Sequence, residues 1–410
     1  MKKHIMRTVA MMLVLIMTWG IVPAVAEDLN IVAEAAIVID FNTGEILFER
    51  DAHTPRVPAS MTKAMTAFVV YEEMERGNLT LETLVPISEN ASRVSRDTTM
   101  QGLPFPLAVG SYHTVDTLLH LAMLPSSNGA CVALAEFISG TEAAFAQRMN
   151  ESAAAIGMWS EFTNSHGAIA HYTNAYSIGR LMYEFIHRFP DILRITGAEY
   201  YVFEDEPRYT TNLLLRTMPY EGADGFRTGT TREAGWCLAA TAYRNGRRII
   251  VVVMNTPNNN RRYGDSIRLL DFGFAEAARR DAAREAERIA AEVARYASRI
   301  AVVVNGAHVT TRTFPRTVDN RAMVPAREFF EALGAVEYRE EHGIINMNTY
   351  DGRAVSLAVE QIAIFVDGRS LFIIPPRIID GEIFIAVRYA AYALGLAVEW
   401  DGATRTVIVG

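Results

Sequence analysis

The sequence predicts a mixed α/β (α+β) protein that ends in a small α+β repeat domain. Three observations carry this. Two β-hairpin signatures lie far apart, at residues 36–49 and 236–254. The stretch between them holds several helical patterns. Residues 300–410 repeat themselves at an offset of 61 or 62 positions.

Taken in order, Ala36 to Glu49 places two β-rich runs around Asn42-Thr43-Gly44, a hairpin turn signal. Pro58-Ala59-Ser60 leads into a helix over Met61 to Met74, with Met65, Phe68, Val69 and Glu72 at helical spacing and Gly77 at its end. Thr114 to Leu124 repeats apolar residues at Val115, Leu118, Leu119 and Ala122 and is a second helix. Further helices are expected from about Gly129 to Ser139 and from Leu181 to Phe189. After Pro219 the texture turns β-rich. Trp236 to Tyr243 and Arg248 to Met254 flank Arg244-Asn245-Gly246, a second hairpin. A last helix starts at Asp265, runs to Leu270 and is expected to end at Asp271-Phe-Gly-Phe274. Residues 275–299 are rich in Ala, Arg and Glu without Gly or Pro, and Glu285 and Arg288 form a favourable i,i+3 pair, so a solvated helical linker is predicted.

In the repeat, Val304-Asn-Gly306 recurs as Val366-Asp-Gly368, Ala326-Arg327 as Val387-Arg388, and Ala332-Leu-Gly334 as Ala393-Leu-Gly395. Each copy reads strand, turn, strand, short helix, strand. Its histidines, His308 and His342, have no ligand-like spacing.

Composition narrows the function. The 410 residues are 50% apolar and 21% charged, which is globular and long enough for two or three domains. A net charge of −8 argues against a general nucleic-acid binder. Two cysteines, Cys131 and Cys237, exclude a disulfide framework, and their apolar surroundings predict buried free thiols. Residues 1–26 read as a signal peptide. Lys2, Lys3 and Arg7 precede an apolar core from Val9 to Val22, and Ala24-Val25-Ala26 is a small-x-small cleavage site. A secreted protein working outside the cytoplasm is expected.

One count stands out. Of 39 basic residues, 36 are arginine and 3 are lysine, namely Lys2, Lys3 and Lys63. Lys63 belongs to Ser60-Met61-Thr62-Lys63, which places a hydroxyl and an amine one helical turn apart on one face. A serine is a poor nucleophile until a base takes its proton. An amine serves only when it can be neutral, which arginine, with a pKa above about 12, cannot be. A chain that uses arginine wherever a positive charge suffices keeps lysine here, so a serine–lysine site is predicted. Ser126-Ser127-Asn128, between two expected helices, offers a hydroxyl and an amide. Arg227-Thr228-Gly229, expected to precede the second hairpin, offers a cation, a hydroxyl and open backbone for an extended peptide with a terminal carboxylate.

In this order the motifs resemble those of the serine-type D-alanyl-D-alanine carboxypeptidases, the low-molecular-mass penicillin-binding proteins. The matching stretches are Pro58 to Thr66, Leu124 to Ala135, Phe162-Thr-Asn-Ser-His-Gly167 and Asp224 to Thr230. The resemblance implies a five-stranded antiparallel sheet covered by helices on both faces, as in serine β-lactamases, over a catalytic domain at 27–274. It implies Ser60 as acylated nucleophile, Lys63 as general base, Ser126 as proton relay and Asn128 as an anchor for Lys63 and the substrate amide. Arg227, Thr228, Gly229 and Thr230 would bind substrate, and the backbone N–H groups of Ser60 and Thr230 would form the oxyanion hole. The implied substrates are peptidoglycan stem peptides ending in D-Ala-D-Ala, with β-lactams as acylating ligands and no cofactor or metal.

Three positions depart from the family: arginine replaces lysine at 227, glycine replaces aspartate at 129, and serine stands at 165 where proline is frequent. The alternatives are a wall-binding protein of the same fold with little or no turnover, and a β-lactamase. The second needs a glutamate four residues before an asparagine, whereas Glu161 precedes Asn164 by three. His166 and His171 read as structural. Residues 300–410 resemble a stalk domain of bacterial surface proteins related to the copper amine oxidase N-terminal domain. That likeness implies no copper here, but a spacing or wall-contact role in a Gram-positive-type envelope.

Overall fold

The computed structural model describes residues 29–101, 106–297, 299–342, 344–349, 352–359, 363–372 and 375–410. The signal expected at residues 1–26 lies outside them. The chain divides into two compact units, Met1–Ala282 and Ala283–Gly410.

Alternation along the strands organises the first unit. Its main strands are β1 (Ala35–Asp40), β2 (Ile46–Arg50), β3 (Ala223–Thr231), β4 (Gly235–Arg244) and β5 (Arg247–Thr256), paired antiparallel in the order β2-β1-β5-β4-β3. Every residue of β1 is buried. Ala35, Ile37 and Ile39 enter one core; Ala36 and Val38 enter another. In β5, Ile250, Val252 and Met254 join the first core, and Ile249, Val251 and Val253 the second. Successive side chains point to opposite faces, so such runs need apolar cover on both. The two expected hairpins supply four of the strands and meet at β1–β5, where Ala36 pairs with Val253 and Val38 with Val251. The structure corrects one expectation. Arg227-Thr228-Gly229 does not merely precede a hairpin but forms the middle of the edge strand β3, with Thr228 opposite Leu238 and Gly229 opposite Cys237.

One face is covered by α1 (Thr62–Glu75), α2 (Glu89–Arg96), α3 (Val115–Met123), α4 (Asn128–Ser139), α5 (Glu142–Ala155) and α6 (Ala175–Arg188). Five of these start on a side-chain cap: Ser88, Thr114, Ser127, Thr141 and Asn174 each accept from a backbone N–H three residues on. Asn174 starts α6 six residues before the expected Leu181. α1 is buried nearly all round rather than on one stripe. Its inward carboxylates are paired: Glu72 accepts from Ser152 and Arg188, and Glu73 from Arg76 and Asn78. Buried charges persist only with such partners.

The other face is covered by α7 (Asn259–Ala297), which runs straight through the expected stop at residues 271–274. Gly273 is a packing position, not a terminator. A Cβ there would lie 2.6 Å from Ile249 Cγ2 and 2.9 Å from Val38 Cγ1. The helix therefore lies directly on β1 and β5, and its later turns continue through residues 275–297.

In the second unit the two copies interleave. Arg321–Pro325 of the first pairs with Glu382–Ala386 of the second, and Ala301–Val304 pairs in parallel with Thr406–Val409. The short helices Ala326–Ala332 and Val387–Ala393 follow equivalent strands. Phe329, Phe330, Ile385, Val387 and Val407 share one core, so neither copy closes without the other.

Gly273→Ala separates two opposed effects. Alanine favours a helix by about 1 kcal/mol over glycine, but overpacking against the sheet costs about 1–3 kcal/mol. The variant is expected to unfold at lower urea concentration than the parent; equal or greater stability would contradict the packing role.

Candidate active site

Ser60 sits in the short 3-10 turn Ala59–Met61 that runs into α1. Ala59, just before it, has a left-handed φ of 48°. Such a conformation costs energy at a non-glycine residue and has to be held by its surroundings. A chain of hydrogen bonds holds it. His171 Nε2 lies 2.7 Å from Thr62 Oγ1, which donates to the Ala59 carbonyl at 2.8 Å. Asn164 Nδ2 donates toward His171 Nδ1 at 3.0 Å, so the network selects the Nε2–H tautomer.

Lys63 follows one turn later and is fully buried. Its Nζ lies 3.0 Å from Ser60 Oγ and donates to the His166 carbonyl at 2.7 Å. Burial pulls its pKa down to about 7, and the nearby Arg227 acts in the same direction. The thiolate of Cys131 would oppose this, but burial pushes that thiol up to about 11, so it is neutral near pH 7. Cys131 and Cys237 are both free and buried. The lysine is thus neither the surface cation of an ordinary helix nor a salt-bridge partner. It is an amine with an accessible neutral form, in hydrogen-bond reach of a hydroxyl.

Ser126 approaches from the α3–α4 connection with φ 78°, and its Oγ donates to Ser60 Oγ at 3.2 Å. Ser60 Oγ therefore lies between an amine and a second hydroxyl. Ser127 caps α4, and Asn128 opens that helix as a buried residue.

The third side is β3. Gly229 presses on the Ser60 turn, where a Cβ would stand 2.4 Å from the Pro58 carbonyl oxygen. Arg227 is buried and donates through Nη1 to Thr211 Oγ1 at 2.7 Å. Thr211 Oγ1 in turn lies 2.6 Å from Thr228 Oγ1. Burial lowers Arg227 to about 10, which leaves it charged at neutral pH. Thr230 is exposed, and its Oγ1 accepts from Arg262 Nη1 at 3.1 Å.

Two residues here carried no sequence signal. Thr211 lies in a polar stretch between short elements. Arg262 lies on the far-side helix α7 and also reaches the Cys237 carbonyl at 3.2 Å. Only the tertiary arrangement brings either to β3.

The family departures have local causes. At Gly129 a Cβ would lie 2.5 Å from Ser95 Cβ and 2.7 Å from the Ala91 carbonyl oxygen, so α2 and α4 touch where a larger residue cannot fit. Ser165 donates its N–H and hydroxyl to Glu142 Oε1 at 3.0 and 2.6 Å, and proline could do neither. Its carbonyl accepts from Thr66 at 2.5 Å, which ties this loop to α1 beside the carbonyl that holds Lys63. His166 is pushed down to about 3 and His171 to about 4, mainly by burial, with the Lys63 charge adding. Both are neutral and structural at pH 7. Glu161 is exposed. Among the described residues no group of three His, Cys, Asp or Glu is placed to hold a metal.

Fold and site together set a serine hydroxyl, at the turn that leads into α1, within hydrogen-bond reach of a buried amine on that helix. The comparisons give the family. A family model described as D-alanyl-D-alanine carboxypeptidase matches residues 22–258, and one described as copper amine oxidase N-terminal domain matches residues 303–409. The chain is 33% identical over 252 residues to D-alanyl-D-alanine carboxypeptidase DacF of Bacillus subtilis, covering 60% of this chain and 62% of that protein. It is 30% identical over 283 residues to the D-alanyl-D-alanine carboxypeptidase of Streptomyces sp. strain K15, covering 63% and 93%. Among solved structures, a peptidoglycan synthesis regulatory factor (PBP3) from Streptococcus pneumoniae superposes with TM-score 0.57 at 30% identity, covering 60% of this chain and 72% of that one. Penicillin-binding protein D2 from Listeria monocytogenes, with ampicillin bound, gives TM-score 0.52 at 26% identity, covering 60% and 98%. The chain belongs to the D-alanyl-D-alanine carboxypeptidase family. It spans 62% of the length of DacF and 65% of that of DacA from Escherichia coli.

Thr211→Val removes the shared partner of Arg227 and Thr228 at nearly constant volume. A buried donor left unsatisfied costs about 1–3 kcal/mol, so chemical denaturation is expected to show a loss in that range. An unchanged midpoint would show that Thr211 does not hold β3.

Proposed function

We propose that the N-terminal unit is a serine-type D-alanyl-D-alanine carboxypeptidase that removes the terminal D-alanine of peptidoglycan stem peptides through an acyl-enzyme on Ser60, and that β-lactams acylate the same residue. One observation carries the reading: the chain's sole lysine outside residues 1–26 is fully buried with its Nζ 3.0 Å from Ser60 Oγ.

The chemistry follows from that contact. Neutral Lys63 takes the Ser60 proton as Oγ attacks the carbonyl of the penultimate D-alanine. The oxyanion that forms is met by the backbone N–H groups of Ser60 and Thr230, on the two segments that touch at Gly229. Such donors typically contribute several kcal/mol. The C–N bond then breaks, and Ser126 relays a proton to the leaving amine. D-Alanine departs, and the ester on Ser60 is hydrolysed by water whose proton returns through the same groups. The carboxylate of the leaving residue is met by the Thr228 hydroxyl, in the field of the buried charge of Arg227. Arginine serves there because charge alone is asked of that position, whereas residue 63 has to lose its proton.

The same reading places the work outside the cytoplasm, on a wall-borne substrate, consistent with the signal pattern of residues 1–26. It makes the C-terminal unit a wall-contact or spacing element.

A fluorescent penicillin tests the proposal. Wild type is expected to label covalently and persistently, and Ser60→Ala not at all. Lys63→Arg keeps the charge but cannot supply a neutral base, and is expected to slow labelling by about 10²–10⁴-fold; rapid labelling of that variant would remove the neutral-amine argument. Failure of folded wild type to label would favour the inactive wall-binding alternative.

The pH profile is a separate check. Lys63 acts in its deprotonated form, so acylation is expected to rise with pH through about 7 and then level. His166 and His171 are already neutral above about 4 and add no inflection there. A rate independent of pH between 5 and 9 would contradict the assignment of the base.

A further inference from the structure

We infer that the C-terminal unit carries an oligosaccharide-binding cleft built around Trp400 and Arg388, and that its ligand is a strand of N-acetylated hexosamines of the kind that bears stem peptides. The choice of this sugar rests on the function proposed above; the cleft itself does not.

The two copies of the repeat expose the site by contrast. Ala335-Val-Glu-Tyr338 in the first copy corresponds to Ala397-Val-Glu-Trp400 in the second, and Arg327 to Arg388, each the second residue of its short helix. In the first copy the Arg327 guanidinium lies 4.5 Å from the centre of the Tyr338 ring. The cation and the aromatic face satisfy one another. In the second copy the corresponding pair is left open. Arg388 is exposed and, among the described residues, makes no hydrogen bond or ion pair, and Trp400 makes no ring or cation contact. Trp400 is 44% exposed. Both line a cavity of about 450 Å³, within the usual range for a small-ligand pocket.

The lining fits a sugar better than other ligands. Trp400 stands opposite Val407 across a hairpin, with Val398 two residues before it on the same strand, which gives an apolar floor. Tyr389, Thr317, Asn320 and Glu399 add polar groups around it. A pyranose presents one face of C–H bonds and a rim of hydroxyls. The electron-rich indole face matches the first, and planar amide, carboxylate and guanidinium groups match the second. Cations and acids alternate here: Arg321 and Arg388 stand among Asp319 and Glu399. That mixture suits neither a polyanion nor a lipid tail. Hydroxyls and N-acetyl groups, which both donate and accept, suit it well.

The test titrates the full chain with a β-1,4-linked N-acetylglucosamine tetramer by calorimetry. Saturable binding is expected, weakened at least tenfold in Trp400→Ala and reduced in Arg388→Ala. Trp159→Ala, which removes an exposed tryptophan of the N-terminal unit, is expected to bind as wild type does. Penicillin labelling of Ser60 is expected to be the same in Trp400→Ala as in the parent, which separates the two sites. Sugar binding lost with Trp400 supports the cleft whether or not Ser60 labels. No saturable binding by folded wild type, undiminished affinity in Trp400→Ala, or loss on that substitution of affinity for a soluble D-Ala-D-Ala peptide alone would each overturn it.

Discussion

An ammonium group removed from water gives up its proton far more readily than one in solution, and the site around Ser60 depends on that fact. Lys63 is enclosed by α1, by the loop carrying His166 and by residues near Arg227, and its pKa falls to about 7. Every other feature of the site arranges something around this amine. The His166 carbonyl accepts from it, Ser60 Oγ lies within hydrogen-bond reach of it, and Ser126 donates to the same Ser60 oxygen. The cost falls on a unit with two apolar cores, one on each side of the same sheet.

Close contact of backbones is the second constraint. Three segments have to converge on Ser60, and each does so through a fitted position. β3 comes in over Gly229, α4 lies against α2 at Gly129, and the Ser165 loop is held by Glu142 from α5. These contacts explain why the departures from the family leave the geometry intact. Glycine at 129 is the residue that lets two helices touch, and serine at 165 forms two hydrogen bonds that proline would forgo. The arginine at 227 keeps its charge and gains Thr211 as a partner.

In the C-terminal unit the two copies share a fold but not a surface. Two copies of one pattern interleave into a single core, so each depends on the other to close it. Their surfaces differ. One copy stacks an arginine on its own tyrosine; the other presents a tryptophan and an arginine side by side to solvent.

By itself the sequence pointed to the chemistry proposed for the site and determined most of the local structure. Outside residues 1–26 one lysine stands among 35 arginines, three residues after a serine, and it is the candidate base because only lysine can be neutral. The hairpins at 36–49 and 236–254 were legible from their turns, α1 and α3 from the spacing of their residues, and α4 was expected from about Gly129. α2 and α5 were not, although Ser88 and Thr141 are caps: α2 is short and puts only Ala91 and Val94 as apolar residues on its buried face, and alanine-rich α5 shows little amphipathic pattern. The false stop at Gly273 has the opposite origin: glycine marks helix ends locally, but here the sheet beneath demands the absence of a side chain. Tertiary structure alone decided that Arg227-Thr228-Gly229 is an edge strand and that Thr211 and Arg262 flank it. It also decided that Lys63 is buried. Local sequence reports what a residue can do, whereas a pKa and a strand's partners depend on groups tens to hundreds of residues away in the chain.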